Sequence, residues 1–307
     1  MTAFALLLIL IAAFLHATWN LCAKRAGGGL PFVWLVGVVI CLLYLPVLAG
    51  YWLWKHPALT AQQFAWIAGS GVLKTGYSLF LQRSYRAGDF SLIYPLARGT
   101  GPLLSTVAAI AILGERPSGL AVAGGLVIIA AIFFLTGGFT AFASLFRKTF
   151  SSAAPPPAGD VDPVRPQVLR AIKYGVASGV FIASYTLWDR HGVHALAVPP
   201  VIYDGGTAFM IFGLLTPFAL RRREEIARHW REHKPFVFGM ALFAPTAYVL
   251  VLTAMSFTPV SYVAPAREIS IAIGAFLGAR YLNEADARRR IWAAVGMAAG
   301  VIALALG

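Results

Sequence analysis

The sequence predicts an all-α integral membrane protein, with ten transmembrane helices arranged as two inverted five-helix repeats. Three observations carry this expectation: long apolar runs without charge, basic residues gathered on one side of those runs, and a pattern that recurs between the two halves. The 307-residue chain is 59% hydrophobic and only 12% charged, with a mean hydropathy of +0.75. A soluble domain carries roughly 25% charged residues, so a membrane class is the first to consider.

The apolar runs come first. Thr2–Ala23, Leu30–Trp54, Pro117–Phe146 and Pro235–Ala266 contain no Asp, Glu, Lys or Arg. A spanning helix needs about 20 apolar residues. The predicted spans are 3–23, 31–51, 62–82, 90–113, 118–138, 170–188, 197–219, 235–257, 260–281 and 290–306. The last uncharged run exceeds one span, and Thr258-Pro259 is its natural break. Met1–Ala23 has no basic n-region and is too long for a typical signal core, so it reads as the first span. Cys22 and Cys41 form neither a disulfide framework nor a metal-ligand spacing. The segment 147–167, "RKTFSSAAPPPAGDVDPVRPQ", reads as a polar linker. The expected organisation is therefore a first repeat over 1–138, a cytoplasmic Pro-rich linker over 139–169 and a second repeat over 170–307.

The charge pattern orients the spans. Most of the 25 Lys and Arg residues fall in loops on one side, among them Lys24, Arg25, Arg83, Arg86, Arg221–Arg223 and Arg288–Arg290. Only Lys55, Arg116 and Arg190 fall on the other, and Lys74, Arg98 and Arg267 lie within spans. Basic loops stay cytoplasmic. Both termini are therefore expected outside the cytoplasm, in a bacterial plasma (inner) membrane. The net charge of +13 reflects this topology, and no nucleic-acid partner is expected.

The halves also share a pattern. Residues 91–116, "SLIYPLARGTGPLLSTVAAIAILGER", align with 261–285, "SYVAPAREISIAIGAFLGARYLNEA". Ser91 meets Ser261, Pro95 meets Pro265, Arg98 meets Arg267 and Glu115 meets Glu284. Five spans per half is odd, so the halves run in opposite directions. The loop charges reverse accordingly: "FTPVS" after span 8 is uncharged where its counterpart carries Arg83 and Arg86. Inverted repeats are a common construction of secondary transporters, with the solute held between the halves.

Several motifs add a family resemblance: "HATWNLCAKRAGG" (16–28), "YTLWDRHG" (185–192), the Pro-containing spans 4 and 9, and the turns Gly114-Glu115 and Asn283-Glu284. With these the chain resembles the drug/metabolite transporter superfamily in its ten-span form with two EamA-type repeats. The resemblance implies secondary transport, such as metabolite export, by alternating access around a central cavity. It does not specify a substrate, and "HATWN" departs from the "LLWS"-like opening associated with aromatic amino-acid exporters.

Polar residues inside apolar spans are the candidate site, because intramembrane charge is expensive and faces a partner or a water-filled cavity. From the helical rise, Lys74 lies roughly 18 Å from the outer face and Arg98 roughly 10 Å from the cytoplasmic face, placing both in the inner half. Arg267, Glu268 and Asp204 fall roughly 10–12 Å from the outer face. The sequence thus predicts two polar layers. Adjacent helical residues point about 100° apart. Arg267 is therefore expected to pair with Asp204, leaving Glu268 toward the cavity, where Asp204 or Glu268 would serve as proton carrier or ion-pair partner. Substrate contacts are expected from His16, Trp19, Asn20, Lys74, Tyr77, Arg98, Tyr185, Tyr203, Tyr248 and Arg267. Tyr94 is a further aromatic candidate. Pro95 and Pro265 each free a backbone carbonyl, giving either a simple kink or a broken helix with polar ends.

"GVASG" (175–179), "GAFLG" (274–278) and "GMAAG" (296–300) have small residues four apart. Close packing within one monomer is the expected use, with a homodimer left open. The expected solute is a small organic metabolite such as an amino acid or organic acid. The alternatives are proton-coupled efflux of cationic drugs on the same fold and an integral-membrane lipid-modifying enzyme. Three intramembrane basic residues oppose the first, and the lack of HExxH, G-x-S-x-G or a rigid aspartate cluster opposes the second. No P-loop is present, no cofactor is expected, and the partners are the solute and the bilayer.

Overall fold

A computed structural model of the chain describes residues 1–87, 90–136, 164–282 and 287–307. Residues 81–87, 90–97, 136, 164–172, 275, 278–282, 287, 288 and 290 are described by backbone alone. Most of the linker, the side chains of Tyr94 and Pro95, and Glu284 lie outside the described residues.

Helices account for the regular structure among the described residues. In chain order they are α1 (Ala3–Arg25), α2 (Leu30–Lys55), α3 (Ala61–Ala87), α4 (Phe90–Leu113), α5 (Gly119–Thr136), α6 (Val164–Arg190), α7 (Pro200–Ala219), α8 (Arg223–Glu232), α9 (Lys234–Phe257), α10 (Val260–Ala266), α11 (Ile269–Leu282) and α12 (Ala287–Leu306). A single π turn, His191–Ala195, extends α6, and a 3₁₀ turn, Leu220–Arg222, joins α7 to α8.

Local chemistry sets the helix ends. Thr2 caps α1 through its side chain, and three glycines at positive φ (Gly27, Gly28 and Gly29) turn the chain into α2. Gly114, at φ 67°, turns the chain after α4. The expected ninth span is two helices. Pro265 has no N–H, and α10 stops at Ala266 before α11 resumes at Ile269. The broken-helix alternative therefore holds at Pro265. Helix α8 is an addition that apolar runs could not reveal, because it is short and strongly charged.

Packing is organised across the halves. Helix α1 lies on α9 and α11, while α6 lies on α3 and α4. Helix α2 packs on α7 and α9, α3 also packs on α7, and α5 pairs with α12. With α8 set aside and α10 and α11 counted as one, exchanging the first five helices for the second five leaves this contact pattern almost unchanged. At the α5–α12 contact, a Cβ on Gly124 would stand 2.6 Å from the Gly300 carbonyl, and one on Gly300 would stand 2.7 Å from the Gly124 carbonyl. "GMAAG" thus serves close helix packing inside the chain.

The outer surface is apolar where a soluble protein would be polar: Leu7, Phe14, Leu43, Leu53, Trp54, Ile112 and Trp292 are exposed. Among the described residues, four helical segments are long and apolar enough to cross a membrane: Ala3–Arg25, Leu30–Lys55, Pro200–Glu232 and Lys234–Phe257. Arg98–Leu113, Gly119–Leu135 and Ile291–Leu306 are shorter apolar helices.

Candidate functional site

Two ion-pair clusters tie the halves together. In the first, Lys74 of α3 places Nζ 2.9 Å from Asp189 Oδ2 of α6. Asp189 is fully buried and accepts further hydrogen bonds from Ser70 (2.6 Å) and Tyr203 (3.0 Å) at Oδ1, and from Tyr248 (2.5 Å) at Oδ2. The Lys74 ammonium also stands over the Tyr248 ring, 4.1 Å from its centroid, and 5.9 Å from that of Tyr185.

In the second cluster, Glu268 sits between two guanidiniums: Arg98 Nη2 is 3.0 Å from its Oε2, and Arg267 Nε is 3.3 Å from its Oε1. The expected Arg267–Asp204 pair is not formed. Asp204 instead accepts a hydrogen bond from Tyr44 at 2.6 Å. Regular helix geometry would point Arg267 and Glu268 apart, but both lie in the turn between α10 and α11, outside a regular helix. The turn between α10 and α11 is made by bonds three residues back, from Glu268 N–H to Pro265 and from Ile271 N–H to Glu268, and the two long side chains meet beside it.

The two expected layers also meet. Arg98 and Glu268 each stand about eight residues from the start of their helices, which enter from opposite faces on the inverted-repeat reading. Each has therefore risen about 12 Å into a core about 30 Å thick. The remaining distance, about 6 Å, is within reach of two long side chains. Depth counted from helix ends separated what side-chain length joins.

The other candidates divide by position. His16 meets Trp19 edge-on at 4.8 Å and lies within electrostatic range of Arg98 and Arg267. Asn20 is exposed and returns its amide to the His16 carbonyl at 2.7 Å. Tyr77 and Tyr185 form an edge contact at 5.8 Å. Tyr203 is completely buried behind Asp189, which makes it a support for that carboxylate rather than a surface for solute.

Asp189 and Arg190 are the residues that the sequence reading missed. Arg190 was placed in an outer loop because the sixth span was ended at 188. Helix α6 runs to Arg190 and continues through the π turn, so both residues remain inside the bundle. Arg190 donates to the Met255 carbonyl, and His194 Nδ1 meets the Ser256 carbonyl at 2.7 Å, satisfying acceptors at the C-terminal end of α9. The available signal was the acidic residue in "YTLWDRHG", one of the motifs that carry the family resemblance. Trp188, from the same motif, stacks on Trp66 at 4.2 Å and 11°, and each indole donates to the other's backbone carbonyl.

Glu115 makes a third link. Its two carboxylate oxygens accept the Val260 and Ser261 N–H groups, both at 2.8 Å. This first-half carboxylate therefore satisfies two donors at the start of α10. An open cavity of about 360 Å³ lies elsewhere, lined by Leu220, Arg221–Arg223, Glu224 and Glu225, away from all three links.

No curated protein matches this sequence. Twenty-six chains of known structure match it. One, titled only "Crystal structure of protein", is 17% identical, covers 98% of each chain and superposes with a TM-score of 0.72, a likeness of fold. The profile of the EamA-like transporter family matches residues 3–137 and again 169–306. The chain belongs to the EamA-like transporter family, each half carrying one copy of its repeat.

Proposed function

We propose that this protein is a ten-span secondary transporter of the bacterial inner membrane. It exports small organic metabolites, amino acids or organic acids, by alternating access between its two repeats, with both termini outside the cytoplasm. The observation that carries the reading is the pairing of intramembrane charge across the halves, Lys74 with Asp189 and Arg98 with Glu268. Charge in a bilayer is costly and marks solute or ion pathways. Pairs that bridge two moving bodies can be broken and remade as the bodies rock. In each pair the cation is the more accessible member: Lys74 and Arg98 are 13% and 17% exposed, while Asp189 and Glu268 are 0% and 2%. A pathway edged by cations suits anionic groups and opposes cationic drugs. Asp204, whose carboxylate meets a neutral phenol rather than a cation, is the better placed of the two suggested proton carriers.

Counterflow tests this reading. Proteoliposomes loaded with mixed amino acids, monocarboxylates and dicarboxylates would be diluted into labelled mixtures and their contents resolved by mass spectrometry. Protein-dependent exchange of a narrow solute group is expected. Exchange no greater than in empty liposomes for every class would refute it.

A further inference from the structure

Helix α8 is the polar end of one segment long and apolar enough to cross a membrane, Pro200–Glu232, and the next, Lys234–Phe257, follows directly. It therefore sits where the chain leaves the bilayer and re-enters it. Its surroundings have the chemistry of that boundary. On α7, Leu214, Pro217 and Phe218 are exposed and share one face, because residues three and four apart lie together on a helix. That apolar face is turned to acyl chains. One turn further on come Arg221 and Arg222, in the 3₁₀ turn. At the far end of α8, Trp230 is 37% exposed, its ring 6.0 Å from that of Phe238 and its centroid 5.3 Å from the Lys234 ammonium. An indole between an exposed phenyl ring and a cation belongs at the headgroup level.

The open cavity of about 360 Å³ lies at this level, lined by Leu220, Arg221, Arg222, Arg223, Glu224 and Glu225. Its size falls within the range of small-ligand sites, about 300–1,000 Å³. Its lining holds both signs of charge. Arg222 faces Glu225 at 3.8 Å. The side chains of Arg221, Arg223 and Glu224 are exposed and have no ion-pair or hydrogen-bond partner among the described residues. Two cations and one carboxylate therefore stand open at the edge of a lipid-facing surface. A purely anionic ligand would satisfy the arginines and meet Glu224 as a like charge. A ligand with an anionic and a cationic end would satisfy all three.

We propose that this cavity seats a phospholipid headgroup bearing both a phosphate and a primary ammonium, a phosphatidylethanolamine. Its phosphodiester bridges Arg221 and Arg223, its ammonium donates to Glu224, and its acyl chains lie along Leu214 and Phe218. Arginine suits the phosphate because its planar fork meets phosphate oxygens through parallel N–H bonds. A primary ammonium brings three donors to the carboxylate. The trimethylated headgroup of phosphatidylcholine brings none. Phosphatidylglycerol has no cation and leaves Glu224 uncompensated beside its phosphate. The seat shares no residue with the Lys74–Asp189 or Arg98–Glu268 pairs, so it does not depend on what the chain transports.

Native mass spectrometry of the purified, delipidated full chain in detergent tests the proposal with three lipids of identical dioleoyl chains: phosphatidylethanolamine, phosphatidylcholine and phosphatidylglycerol. Affinity is read from the first bound lipid. Phosphatidylethanolamine is expected to bind about 5-fold tighter than either of the others, the scale of one exposed ion pair. Arg221→Gln and Arg223→Gln should each weaken it by about 3-fold, and Glu224→Gln should abolish its preference over phosphatidylglycerol. Phe218→Ser should weaken all three lipids alike, and Arg228→Gln, outside the cavity, should change none. Equal binding of the three lipids, tightest binding of phosphatidylglycerol by the wild type, or a preference that survives Glu224→Gln each overturns the proposal. Soluble O-phosphoethanolamine separates a lipid from a free phosphate compound. At equal concentration it should leave phosphatidylethanolamine bound; displacement would assign the cavity to a water-soluble phosphate and overturn the lipid.

Discussion

Replacing Asp189 with Asn probes the most heavily bonded carboxylate among the described residues. Asp189 accepts from Lys74, Ser70, Tyr203 and Tyr248, two donors on each oxygen. Asparagine keeps one acceptor oxygen and presents an NH₂ where the other stood, so one pair of donors faces a donor. It also leaves the Lys74 ammonium without its counter-charge, with only 13% of that side chain exposed. Breaking a buried pair from one side costs about 3–5 kcal/mol. Lys74→Met is milder, about 1–3 kcal/mol, because three hydroxyl donors still hold the carboxylate. The double variant should cost less than Asp189→Asn alone, since it leaves no unpaired charge. The assay is SDS-induced unfolding in mixed micelles, run as a double-mutant cycle. A double variant whose cost equals the sum of the two singles would show that Lys74 and Asp189 do not interact, and would refute the reasoning.

Three other expectations follow from particular contacts. Glu115→Gln loses one of two charge-assisted bonds to the start of α10, at about 1.5–3 kcal/mol, and should speed thiol labelling of a cysteine placed at Ser261, which is now 2% exposed. Unchanged labelling would contradict this. Gly300→Leu should destabilise the α5–α12 contact by about 3 kcal/mol or more, because even a Cβ there meets the Gly124 carbonyl at 2.7 Å; wild-type stability in SDS titration would disprove it. On α8, burial lowers the pKa of His229, assisted by His233 and Arg228, and its Nδ1 has no partner among the described residues. A histidine with a lowered folded pKa favours the neutral ring. The docking of α8 on Phe32 is therefore fully supported above about pH 6.5 and weakens as pH falls through the lower folded value. An NMR titration of the His229 ring should give a midpoint below 6.5, and a midpoint at or above it would reverse the sign.

Much of the fold was legible because bilayer chemistry writes long signals. Uncharged runs predicted spans whose helices begin and end within a few residues of expectation, such as 235–257 against Lys234–Phe257. The internal match of Pro95 with Pro265 pointed to special helix geometry, and the α10–α11 break appears at the second of these. What was not legible came from short-range geometry. Arg267 and Glu268, adjacent in the chain, form an ion pair through their long side chains, a contact that helix angles alone do not reveal. A boundary drawn at 188 hid Asp189 and Arg190, because a π turn carries buried chain past the apparent end of a span. Helix α8 was invisible to a search for apolar runs: it buries only one edge, with Ile226 packed against the cluster around Phe32 and Val36. Candidate chemistry was easier to name than to pair. Lys74, Arg98 and Glu268 stood out in the sequence as charges within apolar runs, whereas their pairing depends on contacts between distant helices, and Tyr203 lies against Asp189, a residue that was not proposed.

The central claim is that the halves move against each other around these shared charges, and a reversible lock measures it most directly. Cysteines at Glu115 and Ser261, in a chain with Cys22 and Cys41 replaced, would be joined by a short bifunctional thiol reagent whose linker a reductant cleaves. Solute counterflow is expected to stop in the cross-linked protein and to return on reduction. Counterflow that continues at the uncross-linked rate while residues 115 and 261 are joined would contradict alternating access at this contact.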